Sequence, residues 1–147
     1  MEIQFTTWDV LKTLNTSAPV DIVLKRTPRS ENRYKQHKKT INMDINKYLL
    51  NKIFGNRADD TFVLTENTFP YNVEKTIEHL ILWINPKSKP SRAEIDNYIK
   101  NQYKNHSAIY FENVDKNKSV PGIRHFQLFI KPENKNQEQD SLAEDPE

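Results

Sequence analysis

Hydrophobic and polar positions alternate most cleanly near residues 123–131. Phe126, Leu128 and Ile130 fall on one side of an extended chain, and Ile123, His125, Gln127 and Phe129 on the other. That period of two predicts a closing strand over 123–131. The run Glu78-His79-Leu80-Ile81-Leu82-Trp83-Ile84 is the most apolar in the chain and predicts a buried strand ended by Asn85-Pro86; shorter strands are expected over 61–65 and 108–112. Elsewhere the period lengthens to that of a helix. Ser91 with Glu94 forms a capping box ahead of Ile95, Tyr98, Ile99 and Gln102, which predicts a helix over 91–104. Thr7 caps a short helix carrying Trp8, Leu11 and Leu14 on one side. A second helix is expected from Ser30, after a turn at Pro28, with Ile41, Ile45, Tyr48, Leu49 and Ile53 continuing a helical stripe to Gly55. Asn67-Thr68-Phe69-Pro70-Tyr71 reads as a turn, because proline has no N–H for a ladder. The order of elements predicts an α+β domain, a mostly antiparallel sheet with helices packed on one side.

Composition changes this picture in two ways. The chain has 147 residues and a formal charge of +2, which suits one domain, placed at 1–131, followed by an acidic tail over 132–147. That tail holds Glu133, Glu138, Asp140, Glu144, Asp145 and Glu147 against Lys135 alone and has few apolar residues, so it is expected to be disordered. The body is correspondingly basic and favours anionic partners. There is no cysteine, which removes disulfides, thiolate catalysis and cysteine zinc sites and favours an intracellular, cytoplasmic setting. No apolar run approaches the roughly 18 residues of a membrane span, and the start of the chain lacks the layout of a signal peptide, so no membrane association is expected. His37, His79, His106 and His125 stand at no metal-ligand spacing. Neither a metal nor a cofactor is expected.

The candidate chemistry centres on the closing strand. His125 and Gln127 share a face roughly 6–7 Å apart, where an imidazole nucleophile and an amide donor can hold the same phosphoryl group. His125 equally fits a strand histidine without a catalytic role, and His79, inside the apolar strand, reads as a structural histidine. The segment from Lys25 to Lys39 has seven Lys or Arg against Glu31 alone. Within it, Arg26, Arg29 and Arg33 offer forked donors for phosphate and Tyr34 a stacking surface.

Taken in order, Leu24-Lys25-Arg26-Thr27-Pro28, Arg33-Tyr34, Asn67 to Tyr71, His79-Leu80-Ile81-Leu82-Trp83 and the segment 119–129 resemble the fungal N-acetylglucosamine-induced protein family, whose biochemistry is unassigned. Thr68, Phe69 and Gln127 depart from that family's pattern. A more distant similarity is to the histidine-triad superfamily, in its hexose-1-phosphate uridylyltransferase and dinucleoside-polyphosphate phosphorylase branch. It is carried by Asn67 with Phe69 and Pro70, Phe111-Glu112-Asn113, Ser119, and His125 with Gln127. Ile123 stands where that branch has a further histidine. The resemblance implies a histidine-triad-like fold and a nucleotide or nucleotide-sugar ligand. His125 would be the nucleophile of a transferase or hydrolase, with Gln127, Asn113, Ser119 and Asn67 as phosphate-binding groups. The alternative is a non-enzymatic module whose basic patch binds nucleic acid or a protein.

Overall fold

Polar caps and apolar periodicity together set where each element starts and stops. The computed structural model describes residues 2–41, 44–69, 71–118, 120 and 122–132; Ser119 and the acidic segment beyond 132 lie outside them. A two-residue strand, β1 (Glu2–Ile3), precedes α1 (Trp8–Lys12), where the Thr7 hydroxyl accepts from the Val10 amide as expected of a cap. β2 (Val23–Leu24) runs parallel to β1. Next, α2 (Pro28–Lys39) starts earlier than predicted. Thr27 is its cap, accepting from the Ser30 amide, and Pro28 takes the first helical position, where a missing N–H costs nothing. α3 (Ile45–Phe54) is a separate helix that stops at Gly55.

The main sheet follows from β3 (Phe62–Glu66), β4 (Glu78–Ile84), α4 (Arg92–Gln102), β5 (His106–Phe111), a 3-10 turn at Asp115–Asn117, and β6 (His125–Pro132). The predicted capping box holds α4: the Glu94 amide donates to Ser91 Oγ at 3.1 Å and the Ser91 amide to Glu94 Oε1 at 2.9 Å. The strands lie in the order β3-β4-β6-β5, every neighbour antiparallel. The α+β class is therefore the predicted one.

Register decides which side chains meet. Trp83 lies opposite His125, Ile81 opposite Gln127, and His79 opposite Phe129, so these six share one face of the sheet. Leu80, Leu82, Ile84, Phe126, Leu128 and Ile130 form the other face and pack with Ile95 and Ile99 of α4. The helices divide between the faces instead of sharing one. Leu11 of α1 joins Phe111 and Phe129 on the polar-bearing face, and Ile53 and Phe54 of α3 join Val63 and Trp83 there. Both sides of β6 are consequently buried. His125 and Gln127 are only 7% and 6% exposed, not the outward-facing residues that a strand with one wet side would carry.

Among the described residues no helix is long and apolar enough to cross a membrane. Truncating the fully buried Leu128 to alanine is expected to cost about 2–5 kcal/mol, whereas Ser91→Ala removes only a cap and should cost about 1 kcal/mol. Urea denaturation midpoints of the two variants check the difference.

Candidate functional site

The polar-bearing face of the sheet does not close completely against α2 and α3. A cavity of about 620 Å³ remains, with His125, Gln127 and Trp83 at the sheet and Tyr34, His37 and Tyr48 among the residues the helices contribute. That volume lies within the range of small-molecule sites. Among the described residues its charge is one-sided: Arg26, Lys38, Lys52, Arg57 and Lys118 line it, against Glu66 as the one acid. Such a wall attracts anions.

His125 is held by its own strand entry. Its Nδ1 lies 2.8 Å from the Ile123 carbonyl, an acceptor only, so Nδ1 carries the hydrogen and Nε2 keeps a lone pair. Among the described residues Nε2 has no hydrogen-bond partner. Burial lowers the pKa of this imidazole, Lys118 adds to that effect, and the Ile123 hydrogen bond and Glu112 oppose it. The ring is thus a neutral base at neutral pH. It packs against Trp83, centroids 4.9 Å apart, and the indole N–H is anchored on Thr65 Oγ1 at 2.9 Å.

Gln127 is the neighbour of a second buried histidine. His79 Nε2 lies 2.6 Å from Gln127 Oε1, and His79 Nδ1 lies 3.3 Å from the Asn67 amide nitrogen. Asn67 is itself oriented, because its Oδ1 accepts from the Phe69 amide at 3.1 Å. The His79 ring is stacked on Phe129 at 4.4 Å and on Tyr71 at 5.1 Å. The sequence reading of His79 as a structural histidine agrees with this packing, yet it missed that the residue abuts the site. Burial pushes its pKa down to about 4; the Gln127 hydrogen bond opposes that shift and Arg26 adds to it.

The predicted basic ligands separate into two groups. Arg26 and Tyr34 line the cavity, with the Arg26 guanidinium 4.0 Å from the Tyr34 ring and 4.9 Å from Tyr71. Arg26 also donates to the Phe69 carbonyl at 2.8 Å and pairs with Glu31. Arg29 and Arg33 are exposed and do not line the cavity, because they sit on another face of α2 from Tyr34, His37 and Lys38. Asn113 lines the cavity, but with its amide oriented to satisfy its neighbours the nitrogen donates to the Ile22 and Val20 carbonyls at 2.9 and 3.1 Å. Its donor therefore serves the fold. Asn67 lines the cavity and orients His79, and Ser119 lies outside the described residues. Lys52, Arg57 and Lys118 were not anticipated, since nothing in their local sequence distinguishes them from surface cations. Among the described residues no group of three or more His, Cys, Asp or Glu is placed to hold a metal ion.

A family model described as a protein of unknown function, DUF3605, matches residues 7–131, which take in the cavity and the four-stranded sheet as far as Lys131 of β6. The chain belongs to that family. One relative, the uncharacterized protein YPL067C of Saccharomyces cerevisiae, is 31% identical over 110 residues, covering 63% of this chain and 55% of the relative. The chain thus spans about half the length of the curated relative it matches. The crystal structure of HTC1 is similar with a TM-score of 0.56 at 23% identity, covering 82% of this chain and 86% of that one. That likeness extends to the fold of this DUF3605 chain alone.

Because the folded His79 takes up its proton near pH 4 and an unfolded one near 6.5, the unfolded chain binds more protons between those values. Stability is therefore full above about pH 6.5 and falls as pH drops toward 4, by about 3 kcal/mol from this group. Urea unfolding of wild type at pH 7 and pH 4.5 should show the loss, and His79→Phe should make the pH dependence shallower.

Proposed function

We propose that the cavity binds a nucleotide or nucleotide sugar by its phosphate ester, and that His125 is the nucleophile for transfer or hydrolysis at that phosphorus. The observation that carries this reading is the state of His125: neutral, with Nδ1–H tied to the Ile123 carbonyl and the Nε2 lone pair without a partner among the described residues, in a basic cavity beside Gln127. The aromatic and apolar wall suits a base or sugar ring, and the cations suit phosphate. The similarity in motif order to the uridylyltransferase branch of the histidine-triad superfamily supports the same assignment. In this chain Ile123, which replaces a histidine of that branch, keeps a role through its carbonyl.

In the first step Nε2 attacks the α-phosphorus and forms a P–N bond. The bond to the bridging oxygen breaks, and the leaving group departs with its electron pair. Gln127 and the cavity cations stabilise the oxygens on which charge gathers. Water, or an acceptor phosphate, then attacks the same phosphorus, the P–N electron pair returns to Nε2, and the proton that an attacking water loses passes to solvent. Protonating His125 beforehand removes the nucleophile, so turnover is expected to fall on acidification and to hold at neutral pH and above.

The exposed face of α2 favours one further reading. Arg29, Arg33, Lys35 and Lys39 are all exposed there, a pattern suited to a nucleic-acid backbone.

Thermal shift with ADP, UDP and UDP-glucose is the deciding measurement. A ligand at 100 times its Kd should stabilise the protein by about 2.7 kcal/mol. His125→Ala should retain binding and lose turnover, and Gln127→Ala should slow turnover by about 10²–10³-fold. Binding without turnover by wild type would leave a binding module, and no shift with any of the three would overturn the reading. A salt-sensitive shift with a single-stranded oligonucleotide alone, lost on replacing Arg29 and Arg33, would favour the nucleic-acid face.

A further inference from the structure

Gln127 can present either end of its amide to the cavity, and the choice decides what the cavity accepts. With the carbonyl oxygen inward it would repel phosphoryl oxygens; with the NH₂ inward it donates to them. The choice is set by a chain of directed hydrogen bonds that begins at a backbone amide, whose polarity cannot change.

The Phe69 N–H donates to Asn67 Oδ1, which leaves the Asn67 NH₂ as the end facing His79. An amide nitrogen only donates, so His79 Nδ1 must be the lone-pair nitrogen and Nε2 the protonated one. Nε2–H then requires an acceptor, and Gln127 Oε1 is 2.6 Å away. Gln127 lines the cavity and His79 does not, and the Gln127 nitrogen has no hydrogen-bond partner among the described residues. Both ends of the relay are clamped. The Phe69 carbonyl is held by Arg26 at 2.8 Å, and the imidazole is stacked between Tyr71 and Phe129. Turning the ring over would put carbon atoms against both amides.

We propose that His79 is a positioning residue that, through the relay Phe69–Asn67–His79, locks the Gln127 amide with its NH₂ toward the cavity and so restricts this wall to ligands presenting acceptor oxygens, as a phosphate ester does. The identity of the oxygen that meets Gln127 rests on the phosphate-ester reading. The direction of the relay does not.

The test therefore has an arm without ligand. Long-range ¹H–¹⁵N correlation on the full chain at pH 7 should show His79 as the Nε2–H tautomer, and the Gln127 side-chain amide as a single rigid pair of protons. In His79→Phe, which keeps a ring between Tyr71 and Phe129, that pair should exchange between orientations. The second arm uses UDP as the probe. His79→Phe should weaken UDP binding about tenfold, the scale of one misplaced hydrogen bond. His79→Gln, whose own amide can donate to Gln127, should recover most of that loss. Gln127→Glu, which turns a carboxylate into the cavity, should lose binding about a hundredfold or more. An Nδ1–H tautomer, or unchanged UDP affinity in His79→Phe, overturns the proposal. If UDP fails to bind wild type while the tautomer and the rigid amide are found, the phosphate-ester reading falls and the relay stands.

Discussion

Burial of β4 and β6 on both faces is the constraint from which the rest follows. Central strands enclosed on two sides are ordinarily apolar throughout, because each polar atom placed there must find a partner or cost about 1–3 kcal/mol. Here the buried part of one face is apolar, with Leu80, Leu82, Ile84, Phe126, Leu128 and Ile130 against α4. The opposite face keeps His79, His125 and Gln127 within it, all less than a tenth exposed. Each is anchored through one atom by a specific neighbour: His125 Nδ1 by the Ile123 carbonyl, His79 Nδ1 by Asn67, and Gln127 Oε1 by His79. A leucine at any of these positions would avoid the desolvation cost. What the polar set supplies instead is direction: a fixed lone pair and a fixed donor facing the same space.

Electrostatics and packing are joined at the rim of that space. Arg26 is the clearest case, since its guanidinium is sandwiched by Tyr34 and Tyr71 and bound to the Phe69 carbonyl and to Glu31. It contributes positive potential to the cavity and at the same time ties Phe69 and Tyr71 to the same wall. Lys118 likewise pairs with Asp115 while lowering the pKa of His125. Charges held this firmly shape the field of the cavity without having to be ordered by a ligand, which reduces the entropic cost of binding.

Much of this arrangement was legible in the sequence where the signal was local. The period of two in 123–131 placed Phe126, Leu128 and Ile130 in the core and His125 with Gln127 on one face, and the Ser91–Glu94 box marked the start of α4. Two-residue strands such as β1 and β2 are too short to show any alternation. Arg29 and Arg33 were grouped with Arg26 and Tyr34 by composition of the basic stretch, without helical phase. Along α2, Ser30, Tyr34 and His37 fall on the inward side at helical spacing, which leaves Arg29 and Arg33 exposed and outside the cavity lining. The role of His79 was beyond reach for a different reason. Its contact with Gln127 spans 48 residues and depends on the register of β4 against β6, which no local pattern specifies.

The packing of Trp83 on His125 has an optical consequence. The chain has two tryptophans, and Trp8 lies with α1 in a separate cluster near Lys131. An indole in contact with an imidazole loses emission when that imidazole becomes charged, since the cation is the better electron acceptor from the excited ring. Fluorescence from Trp83 is therefore a native gauge of the charge on His125, readable without any label and separable from Trp8 by single replacement. Occupation of the cavity beside these two rings would change the same signal, so one spectrum can follow both the protonation of the imidazole and the arrival of whatever the cavity takes.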